Sequence, residues 1–101
     1  MKVIVNNKTI NLIEANSFFK KFIGLMFKKN INYCLRIKTN NIHTFFMKEN
    51  IDVVMTDKLN NVLYIYKNFK KNKIIIKKNV YWTYEFPNNF IEKNIKKIEI
   101  I

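Results

Sequence analysis

The chain has 101 residues, 49% of them hydrophobic and 26% charged, and a formal net charge of +12. That length allows one modest hydrophobic core in a single domain, 1–101, and the hydrophobic fraction excludes a disordered chain. Cys34 is the one cysteine, which excludes an intramolecular disulfide and a cysteine metal cluster.

The first predicted elements are "KVIV" and "KTINLIE", joined by Asn6-Asn7. Asn tolerates a positive φ, so the pair reads as a tight hairpin turn, and Ile10 and Leu12 share a face of the second arm. The period then changes. In "NSFFKKFIGLMFKK" the residues Phe18, Phe19, Phe22, Ile23, Leu25 and Met26 recur at helical spacing, with Lys20 and Lys21 opposite them. This predicts an amphipathic helix within 16–27, capped by Asn16 or Ser17 and ended or closely packed at Gly24, the chain's one glycine.

The remainder reads mostly as strands. "NYCLRI" is followed by "IDVVMTD", in which Ile51, Val53 and Met55 face one way and Asp52, Val54 and Thr56 the other. "KLNN" at 58–61 is a turn, and "VLYIY" and "KNKIIIK" follow. In "VYWTYEF", Val80, Trp82, Tyr84 and Phe86 share a face opposite Tyr81, Thr83 and Glu85, and Pro87 stops the strand. "NNFIEKN" reads as a short helical turn and "KKIEII" as a closing strand. The expected class is mainly β (α+β): a small sandwich or partly closed barrel with one helix near the N-terminus.

The stretch "NIHTFFMKENIDVVMTD" holds the one histidine, His43, and three of the seven acidic residues. An imidazole can act as acid, base or metal ligand, but no His-x-His or His-x-x-x-His spacing accompanies it. Two readings stand for His43: a hydrogen bond to a turn backbone, or a place in a pocket. Asp52, near His43 and Lys48 in sequence, reads either as a solvent-facing or turn-pairing carboxylate or as one that orients the imidazole. Glu85 lies among aromatics that form core pairs or stack on a base. The candidate cleft is therefore His43, Lys48, Asp52 and Glu85. Phe45, Phe46 and Met47 are expected in the core, and Cys34 is expected to be a small buried hydrophobe. No catalytic residue, metal or cofactor is assigned.

The charge has two readings. Basic proteins pair with nucleic acid or anionic membranes. Yet Phe, Ile, Asn, Lys, Tyr and Met account for 70 of 101 residues, and all have AT-rich codons, while arginine occurs once. Composition drift toward lysine is the favoured explanation of the charge, and weak, non-specific polyanion binding is expected either way. No apolar run is long enough for a secretory signal or a membrane span, so the chain reads as cytoplasmic.

Three separated pieces, "ANSFFKKFIGLMFKK", "IHTFFMKENIDVVMTD" and "YEFPNNF", resemble in order and spacing the family catalogued as domain of unknown function 192. That family pairs a Gly-Leu-Met segment with an Ile-His-Thr-Phe-Phe-Met motif. The chain departs from the family pattern at Lys21, Thr39 and Asn88-Asn89. The resemblance implies a compact, mainly β domain with no established activity. Three functions stand as expectations: a binding or accessory module with a shallow polar cleft for a small ligand or protein, a nucleic-acid-associated basic protein, or a small hydrolase or metal-assisted enzyme using His43 and a carboxylate.

Overall fold

The structure is a computed structural model that describes residues 1–17, 20–21, 24–91 and 95–101. It contains nine strands: β1 (Lys2–Val5), β2 (Lys8–Ala15), β3 (Cys34–Ile37), β4 (Asn41–His43), β5 (Ile51–Thr56), β6 (Val62–Phe69), β7 (Ile74–Ile76), β8 (Trp82–Pro87) and β9 (Glu99–Ile100). Seven form one sheet in the order β6-β5-β8-β3-β2-β1-β9, while β4 and β7 pair as a separate ribbon. All pairings are antiparallel except β2 with β3.

The sheet curls into a half-barrel because its ends meet. Asn61, just before β6, bridges Lys97, just before β9. The Val62 N–H donates to the Lys96 carbonyl at 2.8 Å, and the Ile98 N–H to the Asn60 carbonyl at 3.0 Å. Closure satisfies backbone groups that an open edge would expose.

Curling gives the sheet two buried faces. The inner core takes Val3, Val5, Leu12, Cys34, Val54, Tyr84, Phe86, Ile91 and Ile98. The outer core takes Ala15, Leu35, Ile37, Ile51, Val53 and Met55 from the sheet, covered by Leu25, Ile31, Ile42, Met47 and Ile75. Every residue of β5 is buried for this reason. Its odd positions serve the outer core and Val54 the inner one, as the alternation predicts.

The β1–β2 turn forms at Asn6 and Asn7, with φ of 51° and 63°. Ile10 and Leu12 both pack on the inner core. Trp82, Tyr84 and Phe86 share that face, but Val80 packs on the outer core, because regular alternation begins only at Trp82.

The helix expected within 16–27 is not supported. Residues 18, 19, 22 and 23, which carry most of its apolar stripe, lie outside the described residues, and no helix stands among the described elements. What is described there is one turn's worth of bonding, from the Lys21 N–H to the Ser17 carbonyl and from the Gly24 N–H to the Lys20 carbonyl, both 2.9 Å. The helical turn expected in 88–94 likewise falls partly on residues outside the described set, 92–94.

Candidate functional site

The four candidate residues do not form one cleft. Register places Asp52 opposite Phe86 and Glu85 opposite Val53. Adjacent positions on paired strands face opposite sides, so Asp52 points into the half-barrel and Glu85 out of it. His43 lies on the separate ribbon, opposite Ile74. Lys48 is exposed.

Asp52 is fully buried, not solvent-facing. Its Oδ1 accepts the Asn68 N–H and its Oδ2 the Ile91 N–H, each at 2.8 Å. Asn68 belongs to a bulge where β6 loses register with β5, and its φ of 51° is left-handed. The carboxylate thus satisfies a backbone donor that the bulge orphans, and ties β6 to the loop after β8.

The His43 Nδ1 accepts the Phe45 N–H at 3.2 Å, and the two rings stack at 5.4 Å. This is the turn-backbone role. Met47 is buried as expected, but Phe45 and Phe46 are exposed, which corrects the expectation that all three enter the core. The strand that turns at Thr44 sends Ile42 inward, so the pair that follows rises off the surface. Thr44 is itself buried, bonding the backbone of Lys70 and Lys73.

Glu85 is the exceptional carboxyl. It stands in the outer core between Leu35 and Val53, and its Oε1 is buried without a hydrogen-bond partner. Burial pushes its pKa up to about 8, so it is held mostly protonated at neutral pH. Gly24 sits directly over it. A Cβ there would lie 3.3 Å from Oε1, a tight approach, and Gly24 has φ of 53°, so a side chain would be strained.

Gly24 also borders a cleft of about 280 Å³, lined by Ile13, Ala15, Tyr33 and Leu35, with Lys20 and Lys28 beside them. A carboxylate–cation pair stands in register beside Tyr84. The one arginine, Arg36, pairs with Glu14 and stacks over Trp82 at 4.0 Å, while the Tyr84 hydroxyl donates to Asn60 Oδ1 at 2.5 Å. Burial raises the Cys34 thiol well above its ordinary range, which keeps it an inert part of the inner core.

Sequence reading named Glu85 and Gly24 separately but did not join them. The available signal was a lone acid at an outward position of a strand, two residues from Thr83, which is also buried.

No family model matches the chain. A protein named "UPF0127 protein" from Thermococcus sibiricus is 43% identical over 51 residues, which cover 43% of this chain. The chain spans about a third of that relative's length, 32%. Two solved structures share the fold. One is a protein of unknown function from Novosphingobium aromaticivorans, with a TM-score of 0.83 and 13% identity, matched over 98% of this chain and 84% of its own. The other is a putative transcription regulator from Sinorhizobium meliloti, with a TM-score of 0.81 and 10% identity, over 97% and 89%. The chain is therefore similar to uncharacterised proteins, and the likeness to the solved structures is one of fold.

Proposed function

We propose that this chain is a binding module whose cleft beside Gly24 receives a small ligand with an apolar body and one hydrogen-bonding group. The observation that carries the reading is the Glu85 Oε1 atom, buried and unpartnered behind Gly24, which itself lines the cleft. A buried carboxyl without a partner costs on the order of 1–3 kcal/mol, and a ligand that supplies the missing bond recovers it. Ile13, Ala15 and Leu35 offer the apolar contact, and the neutral carboxyl offers both a donor and an acceptor. In this reading the chain is a cytoplasmic member of the uncharacterised family with the Gly-Leu-Met and Ile-His-Thr-Phe-Phe-Met motifs, and those motifs supply Gly24 and the outer-core cover.

Gly24 gives the test its handle. It is the one glycine, so a glycine-labelled sample shows a single backbone amide signal. Benzamide and related aromatic amides should move that signal in the native chain and much less in a Glu85→Leu variant. A signal indifferent to such probes, while other amides respond, would remove the reading.

The nucleic-acid reading draws on the net charge and on the putative regulator among the fold neighbours. Against it, Arg36 is spent on Glu14 and Trp82, leaving only lysines for phosphate. Such binding should be sequence-independent and vanish between about 50 and 200 mM salt. The hydrolase reading needs His43 beside a carboxylate, and the register separates them.

A further inference from the structure

A second surface lies apart from the Glu85 cleft. Phe27 and Phe46 stack with ring centroids 5.7 Å apart, and both have left-handed backbones, with φ of 65° and 61°. Every other non-glycine residue of positive φ among those described is an asparagine. A bulky side chain in that region is a true outlier, costing about 1–2 kcal/mol. Burial does not repay the cost, since Phe27 is 60% and Phe46 63% exposed. The Phe27 N–H, bonded to the Phe46 carbonyl at 3.1 Å, holds the two turns together.

The pair continues into a larger apolar face. Phe45, Phe46, Met26, His43 and Ile74 line one groove of about 380 Å³. Ile74 and Ile76, on the outward side of β7, are 60% and 68% exposed. Exposed lysines flank these residues in sequence: Lys29 two residues after Phe27, Lys48 after Met47 and Lys73 before Ile74. The one acid in these segments, Glu49, is turned aside to the Asn30 and Ile31 N–H groups.

We propose that this face docks on an anionic lipid bilayer, with Phe27, Phe46 and Ile74 entering the headgroup–acyl boundary and the lysines meeting the lipid charge. Protruding apolar side chains flanked in sequence by exposed lysines suit that boundary, where area and charge add. A second copy of the chain would bring the same lysines together and be repelled. Single-stranded nucleic acid would find aliphatic Ile74 and Ile76 where it needs stacking faces.

Sedimentation with phosphatidylcholine vesicles, with and without phosphatidylglycerol, tests the proposal at about 0.1 M salt. The native chain should sediment with the anionic vesicles only. Phe46→Asn suits the left-handed backbone, so it should keep or raise the melting temperature while lowering vesicle partitioning by about tenfold. Lys29→Glu with Lys73→Glu should also weaken it. Absence of binding to anionic vesicles would overturn the proposal. So would equal binding by the native chain and a Phe27→Asn, Phe46→Asn double variant, which would reduce the effect to net charge. A native dimer that Phe46→Asn dissolves, or a face that binds an acidic protein but no vesicle, would overturn it in favour of that partner.

Discussion

Asparagine does the work of glycine in this chain. Asn6, Asn7, Asn30, Asn60, Asn68, Asn72, Asn79 and Asn89 all hold left-handed backbones. Their short polar side chains make that conformation cheaper than it is for other residues. The two buried carboxyls show how far burial and bonding separate like residues. Asp52 is charge-satisfied by two backbone donors, so Asp52→Asn places an amide NH₂ against an N–H and should destabilise by about 2–3 kcal/mol in urea unfolding. That outcome differs from a fold-neutral change, which would fit a ligand-facing carboxylate. Glu85 works in the opposite sense. Its folded pKa, about 8, lies above the ordinary 4.5, so the folded state holds a proton that the unfolded state releases. Its contribution is full below the ordinary value and is lost as pH rises through about 8, at ~1.4 kcal/mol per pH unit within that window. Melting curves from acid to alkaline pH should show this slope in the native chain. Glu85→Gln should remove that slope and be the more stable form at alkaline pH.

At the scale of elements, β5 and β8 were legible because period-two alternation survives burial on both faces. The residues of "IDVVMTD" divide between two cores as the pattern says, even though no face of the strand meets water. What alternation cannot supply is which face a polar residue meets. Asp52 reads as solvent-facing only if one side of its strand is wet, and the curl of the sheet leaves neither side of β5 wet. The β4–β7 ribbon was half legible. "KNKIIIK" announced a strand, but its partner is the three residues Asn41–His43, joined across more than thirty positions. Without that pairing, Phe45 and Phe46 look like core. Gly24 shows the same limit: its place in the sequence suggested a helix end or close packing, but not that the packed group is a carboxyl on β8, sixty-one positions away. Gly24→Ala should therefore cost about 1–2 kcal/mol from φ alone. Contact with Oε1 should add to it, so the loss should be smaller in a Glu85→Ala background. Equal losses in the two backgrounds, read by thermal or urea unfolding, would leave only the backbone cost.

For the whole molecule, the decisive feature is that the sheet closes on itself through very few groups. One bridge, Asn61 to Lys97, and the two bonds at Val62 and Ile98 link the first and last strands of a seven-stranded order. So short a seam holds only if side chains back it. Ile98 is fully buried in the inner core, with Val62 and Ile100 packed against that cluster. Closure and inner-core formation should then be one cooperative event. Hydrogen exchange distinguishes this from a loosely docked edge. If the seam is cooperative, the Val62 and Ile98 amides should exchange at rates set by global unfolding, alongside the amides of β5. If the edge frays independently, they should exchange orders of magnitude faster than β5. Ile98→Ala probes the same coupling from the side chain. Removing a fully buried isoleucine should cost about 2–5 kcal/mol, and a cooperative seam passes that loss to every strand. Protection should then fall together at Val54, Tyr84 and Val62. A loss confined to Val62 and Ile98, with β5 and β8 untouched, would show a stable open sheet carrying a detachable last strand.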